Sequence, residues 1–420
     1  MRKKVLFKAP VLTRSGYGEQ SRYALRALRS REDIFDIFVL PLQWGHTSWI
    51  GEDTEERQWI DIAIEKTINY MQMQGQFDLS FQVTIANEWE HHAPINIGYT
   101  AGIETTQVAP QWLAKGNEMN KIIVVSTFAR DMYKNSQYTG QNEQTGEEMI
   151  LSLNTPIESI NYPAKKFDEL PEVELELDYD FNFLTTAQIS PRKNIQNTIK
   201  WFVEEFRDEE VGLVVKGNLA KNCLMDREHL FNDLRSFING LGEKKCKVYL
   251  LHGDMTDEEM HSLQMHPKIS AFVSLAHGEG FGLPIYEAAY SGTPVVATGW
   301  SGHLDFLVDE KGKEHFYNVN FDLNKVPDEV VWEGVIVKDS MWAYPREQSA
   351  KEQMRQCYDD ITGENADSHA LKACKYADEL QERFAKEKMY KKFVSAVEEL
   401  ITDDSEDWLS EIEEIVQTYE

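Results

Sequence analysis

Read from the amino terminus, the chain sets short apolar runs between stretches of helical periodicity. Lys4–Phe7, Ile37–Pro41, Asp78–Phe81, Ile95–Tyr99 and Ile122–Val125 are the candidate strands. Between the first two, Glu19–Arg29 places Tyr23, Ala24, Ala27 and Leu28 on one helical face. Strands alternating with helices predict parallel βαβ units. The pattern breaks over 153–180, where Pro156, Pro163 and Pro171 punctuate an acidic stretch that reads as an interdomain linker. It then resumes: Phe181–Ala187, Val211–Val215, Lys247–Leu251, Ala271–Leu275 and Pro294–Ala297 read as a second strand series. Two such series imply an α/β protein of two Rossmann-like, parallel-sheet domains facing each other across a cleft. The boundaries fall at 1–165 for the first domain and 178–384 for the second. Over Phe384–Ile401, Met389, Phe393, Val397 and Leu400 make one apolar stripe. Trp408, Leu409, Ile412, Ile415, Val416 and Tyr419 make another, behind the acids Asp403, Asp404, Glu406 and Asp407. These carboxy-terminal helices, about 385–420, are expected to complete the first domain.

Length and composition agree with this reading. At 420 residues the chain exceeds one ordinary domain, and 42% hydrophobic content with 11% aromatics supports real cores. A balance of 43 basic to 71 acidic side chains gives a net charge of −28, which repels phosphate backbones and anionic lipid headgroups. The four cysteines form no C-x-x-C pair and read as free thiols. The start carries charge at Arg2, Lys3, Lys4 and Lys8 around only three apolar residues, unlike a secretory leader, and no run approaches a bilayer's thickness. The expectation is a cytoplasmic protein without membrane insertion.

The candidate chemistry lies in Ser274-Leu-Ala-His-Gly-Glu-Gly-Phe-Gly-Leu-Pro-Ile-Tyr-Glu287. A strand ends, a turn runs through Gly278, Gly280 and Gly282, and a helix opens near Pro284. Glycines let the backbone approach a ligand, and the helix N-terminus offers free N–H groups and partial positive charge. That combination suits a diphosphate beyond the carboxyl end of a parallel strand.

This segment resembles the retaining GT-B glycosyltransferases of the sucrose-synthase and mannosyltransferase-like superfamily, glycosyltransferase group 1. Their mark is a Glu, seven residues and a second Glu around a Glu-Gly-Phe-Gly-Leu-Pro core, matched here by Glu279 and Glu287. The resemblance implies that Glu279 meets the donor sugar at its reacting end and that Glu287 binds the ribose hydroxyls. The backbone at Gly280, Phe281, Gly282 and Leu283 would hold phosphate or sugar. In Ala187-Gln-Ile-Ser-Pro-Arg-Lys-Asn194, Lys193 matches the family's phosphate-binding lysine, whereas Gln188 stands where relatives carry an arginine. Arg192 or Lys216 is then expected to supply the second charge. Thr13-Arg-Ser-Gly-Tyr-Gly18 matches the family's glycine-rich loop, making Gly16 and Gly18 donor contacts, and His252-Gly-Asp-Met-Thr256 matches the nucleobase turn, with Met255 and Thr256 as contacts.

In the first domain many relatives place a catalytic histidine after a strand. This chain instead has Ala101-Gly-Ile-Glu104, so Glu104 is the candidate group for orienting the acceptor or accepting its proton, with a helix-cap role as the alternative. His91 and His92 beside Glu88 and Glu90 suggest no metal site, since adjacent strand histidines face opposite ways. No cofactor and no metal are expected. The donor would be a nucleotide-diphosphate sugar, and the acceptor hydroxyl that of a glycan, a lipid-linked molecule or a small molecule. A binding protein without transferase activity and a transferase acting on a nucleic-acid base are the alternatives, the second disfavoured by the charge. Acceptor recognition is assigned to loops such as Trp44–Ile50 and Trp89–Pro94, whose aromatics either stack on sugar faces or, as aromatics more often do, simply pack.

Overall fold

A computed structural model describes residues 2–141 and 148–401. Two six-stranded, all-parallel sheets carry the architecture. The first is built from β1 (Lys3–Ala9), β2 (Phe35–Pro41), β3 (Leu79–Val83), β4 (Ile95–Thr100) and β5 (Lys121–Val124). A small antiparallel hairpin follows, β6 (Tyr138–Gln141) with β7 (Glu148–Leu151), before β8 (Ile157–Ser159) rejoins the sheet. Its order is β2-β1-β3-β4-β5-β8, the flavodoxin-like winding that reverses between β1 and β3.

The second sheet comprises β9 (Phe181–Gln188), β10 (Val211–Asn218), β11 (Lys247–Leu251), β12 (Ile269–Ser274), β13 (Val295–Thr298) and β14 (Tyr317–Val319). Its order, β11-β10-β9-β12-β13-β14, reverses between β9 and β12. In open parallel sheets ligands bind outside the carboxyl ends of strands at such reversals. Here those ends carry Arg192 and Lys193 after β9, and Glu279 after β12. All ten predicted strands are present, Lys247–Leu251 with the bounds predicted and the others lengthened or shifted by a few residues.

The expected linker is not a free tether. β8 lies within it and pairs with β5, and Tyr162, Ala164 and Leu177 are buried. Tyr162 stands in an aromatic row between the domains, 5.7 Å from Tyr23 and 5.0 Å from Phe281 by ring centroids. Residues 386–401 are helical and set Phe393 against Tyr23, Phe81 and Tyr99 of the first domain. Burial of a phenylalanine such as Phe393 contributes roughly 1.5–3 kcal/mol, enough to pin this returning helix. The stripe from Trp408 to Tyr419 lies outside the described residues.

One element has no counterpart in the sequence reading. After β14, β15 (Phe321–Lys325) and β16 (Met341–Pro345) form an antiparallel arm whose connecting loop spans residues 326–340. This loop inserts Val335 into the first domain's cluster of Ile85, Trp89, Ile103, Val108 and Trp112. All four cysteines are unpaired. Among the described residues no helix is long and apolar enough to cross a membrane.

Candidate active site at the domain junction

The turn after β12 delivers Glu279 into a buried position, 6% exposed. Its carboxylate accepts from Lys193 Nζ at 2.5 Å and from Arg192 at 3.1 Å. Both basic residues come from the 3₁₀ turn Pro191–Lys193 at the end of β9. Arg192 also reaches the first domain, 3.2 Å from Glu104, and donates to the Gly278 carbonyl at 2.5 Å. Four predicted residues thus form one chain of alternating charge across the cleft: Glu104, Arg192, Glu279, Lys193. Burial alone would raise the Glu279 pKa, but Lys193 and Arg192 outweigh it and hold the carboxyl at about 2. Glu104 does not cap the following helix, because Ala109 is the N-cap of Pro110–Gly116; its partner is Arg192.

The glycines of this turn are required by the opposing domain. A Cβ at Gly280 would lie 2.5 Å from the Ala101 carbonyl, and one at Gly278 would lie 2.5 Å from that of Glu104. Ser126 adds a hydrogen bond to the Gly280 carbonyl at 2.6 Å. Gly282 caps the helix Leu283–Tyr290, with Pro284 at its second position. The Phe281 side chain belongs to the core, packed on Tyr162, Tyr286 and Phe306, which leaves its backbone for any ligand.

Glu287 lies one turn further along that helix and faces a different setting. It lines a cavity of about 420 Å³ with Glu19, Lys165, Asp257, Leu283 and Tyr290 among its walls. Lys165, from the interdomain segment, bridges Glu19 at 2.7 Å and Asp257 at 2.8 Å. Burial raises the Glu287 pKa to about 7; Lys165 opposes the shift while Asp257 and Glu19 reinforce it. Two glutamates on one turn therefore differ by several pH units, a separation that marks different duties. Lys165 belongs to no motif, and Glu19 follows the glycines of its loop without a role assigned from sequence; only the fold brings them to Glu287.

The remaining predicted residues surround these two centres. Ser15 caps the helix Gly16–Arg29 by accepting from Gly18 N–H. A Cβ at Gly18 would collide with the Thr13 carbonyl, whereas Gly16 has nothing within 4 Å of that position. Lys216, at the end of β10, donates to the Gly253 carbonyl, so it braces the 252–256 turn. That turn also meets the first domain, through Arg14 and Asp254 at 3.4 Å. Thr256 and Glu259 form the capping box their spacing predicts, and Met255 packs on the core. Of the basic candidates for the missing arginine, Arg192 joins Lys193 on Glu279.

The aromatic loops divide. Trp89 is fully buried, with Gly98 beneath its ring, and offers no sugar platform. Trp44 lies on Tyr17 with centroids 4.1 Å apart. Trp49 is 51% exposed. His91 and His92 lie in a loop rather than a strand and turn to different partners, Glu118 for the first, Glu90 and Lys8 for the second.

Comparison with known proteins follows this geometry. Residues 166–322 match the family model described as glycosyl transferases group 1. No curated protein sequence matches the chain. Among solved structures, the Anabaena HepE protein in complex with UDP and glucose is similar with a TM-score of 0.59 at 14% identity, covering 95% of this chain and 100% of that one. Sucrose-phosphate synthase from Thermosynechococcus elongatus gives 0.60 at 13% identity, covering 96% and 100%. A trehalose-6-phosphate synthase gives 0.56 at 8% identity, covering 94% and 99%. The shared fold is GT-B, two Rossmann-like domains across a cleft.

Proposed function

We propose, from the match of residues 166–322 to the glycosyl transferases group 1 model and from the GT-B fold, that the chain is a retaining transferase moving a sugar from a nucleotide-diphosphate donor to an acceptor hydroxyl. The observation that carries this reading is the ionised Glu279 held between Lys193 and Arg192 where the second sheet reverses. The nucleoside occupies the cavity beside Glu287, whose carboxylate accepts from the ribose hydroxyls; its volume of about 420 Å³ is in the range of small-ligand sites. The diphosphate lies at the N-terminus of the helix Leu283–Tyr290, with Lys193 and Arg192 supplying positive charge. Glu279 contacts the sugar, and Met255 and Thr256 flank the base.

The chemistry then balances as follows. The bond from the anomeric carbon to the phosphate oxygen breaks, and the acceptor oxygen bonds to that carbon on the same face. The acceptor proton passes to an oxygen of the leaving diphosphate. Lys193, Arg192 and the helix N-terminus stabilise the charge that develops, the role a divalent metal plays elsewhere. Glu104 orients Arg192 and the acceptor from the first domain. The acceptor is a glycan, a lipid-linked molecule or a small molecule, with Trp49 the exposed aromatic on its side of the cleft.

A thermal-shift panel of nucleotide diphosphates and nucleotide sugars tests the donor, since a ligand that binds only the folded state raises the midpoint. One nucleotide series is expected to stabilise the protein; no shift with any of them, in folded protein, overturns the reading. With the donor in hand, product analysis by NMR is expected to show retained anomeric configuration and turnover insensitive to EDTA. Inverted product excludes the retaining mechanism, and activity lost to EDTA and restored by a divalent ion excludes the metal-free one.

A further inference from the structure

The loop after β13, Trp300-Ser301-Gly302-His303, belongs to none of the motifs above, yet it grips the main chain of Glu279. Ser301 Oγ accepts from the Glu279 N–H at 2.8 Å, and the Gly302 N–H donates to the Glu279 carbonyl at 2.9 Å. Both backbone groups of the buried glutamate are therefore taken by consecutive residues of one turn. The fit leaves no slack: a Cβ on Gly302 would lie 1.9 Å from the Gly280 carbonyl. His303 anchors the far end, its buried Nε2 donating to the Thr298 carbonyl at 2.6 Å.

Ser301 achieves this at φ +90°, in the left-handed region. Of the non-glycine residues described there, the other two are Gln74, just past a helix end, and Asn194, whose side chain suits that conformation. A turn serving only to change chain direction would carry glycine, which adopts this φ without strain. Serine pays a conformational cost here and contributes one thing glycine lacks, the Oγ acceptor on Glu279.

We infer that Ser301 is a positioning residue for the transfer reaction: its strained turn fixes the main chain of Glu279 and so the aim of that carboxylate between Lys193, Arg192 and the donor sugar. The inference rests on the function proposed above.

Two substitutions separate strain from hydrogen bond. Ser301→Gly relieves the backbone and deletes the acceptor; Ser301→Ala deletes the acceptor and keeps the strain. Both are measured against the unaltered protein, with the nucleotide sugar identified by the thermal-shift panel. The expected result is a kcat lower by about tenfold or more in both variants, with donor KM and nucleotide-induced shift unchanged. Ser301→Gly is expected to melt no lower than the parent and Ser301→Ala below it. Full kcat in Ser301→Gly overturns the inference and leaves the turn a structural one. Amide exchange at Glu279, followed in the same proteins, is independent of catalysis and is expected to quicken in both variants. If the unaltered protein transfers no sugar, the transferase reading fails, and exchange alone decides: quickened exchange supports the positioning, unchanged exchange removes it.

Discussion

Glu279 and Glu287 stand eight positions apart on one turn and helix, and their surroundings drive them in opposite directions. Glu279 is depressed to about 2, so the stability it contributes is present above its unfolded pKa of 4.5 and is lost as pH falls toward 2. Glu287 is raised to about 7, so its contribution is present below 4.5 and is lost as pH rises through 7. Ribose hydroxyls donate to a carboxylate, so donor binding must favour the ionised Glu287 and expel its proton. Affinity for the nucleotide sugar is therefore expected to rise about tenfold between pH 6 and pH 8, and the rise to vanish in Glu287→Gln. Calorimetric titration at the two pH values checks it; equal slopes in both proteins would detach Glu287 from the nucleoside. For Lys193, replacement by Ala removes one charge contact on the leaving group, and turnover should fall on the order of a hundredfold. The ion pair adds a consequence that the motif alone does not reveal. Glu279 is left buried with Arg192 as its only basic partner among the described contacts, at a cost below the roughly 3–5 kcal/mol of a buried charge left with no partner. Lys193→Ala should thus melt markedly lower, while Lys193→Met with Glu279→Gln should recover the midpoint and stay inactive. An inactive single variant with an unchanged midpoint would show that the pair is not formed in solution.

At the scale of elements, β16 links the loop that carries Glu104 to the turn that carries Glu279. Met341 exchanges hydrogen bonds with Thr106 on the first domain, N–H to Oγ1 at 3.0 Å and carbonyl from N–H at 3.2 Å. Two residues on, Ala343 donates to the His277 carbonyl at 3.0 Å and accepts from His277 Nδ1 at 2.9 Å. One strand thereby spaces the Glu104 loop against the Glu279 turn, and Val335 secures its arm in the first domain's core. Val335→Asp places a charge among Val108 and Trp112 and is expected to release the arm. Limited proteolysis within 326–340 should quicken on the order of tenfold or more, turnover should fall, and nucleotide-induced stabilisation should persist. Cleavage at the parent rate would mean that the arm is held elsewhere. This element was illegible in the sequence for a physical reason. β15 and β16 are short, pair among the described residues only with each other, and bury Val335 of their loop in a distant domain, so no local period records their partner. The central strands were legible because both faces are covered, which makes them continuous apolar runs. Glu279, Glu287 and Lys193 were legible because glycines and a strand end bracket them. Lys165, Ser301 and the reach of Arg192 to Glu104 were not, because each depends on segments brought together only by folding. Trp89 follows the packing reading of its loop, because Gly98 opens a slot beneath its ring.

For the whole molecule, the relation between the two halves is set by close backbone approach rather than by apolar area at the reacting centre. Ala101 and Glu104 press their carbonyls onto Gly280 and Gly278, and around them stand Arg14 with Asp254, Arg192 with Glu104, and Thr127 with Asp305. Lys165 serves as a common counter-ion at the other end, bound by an acid from each side. Such short approaches tolerate no added atom, so a single methyl tests whether domain contact and catalysis are coupled. At Gly280 the three atoms nearest the added Cβ all belong to Ala101, a residue of the opposite domain. Gly280→Ala should leave each domain folded and push the Ala101–Glu104 loop outward. Amide exchange over residues 101–106 should then rise, and kcat should fall at least about tenfold as Glu104 parts from Arg192. Gly16→Ala is the matched control, since a Cβ there meets nothing within 4 Å and its φ is ordinary. It should leave exchange unchanged and, on the proposed placement of the donor phosphates beside Gly16, weaken only the donor's binding. Wild-type turnover in Gly280→Ala, together with raised exchange, would separate the domain contact from the chemistry and return Glu104 to a structural role.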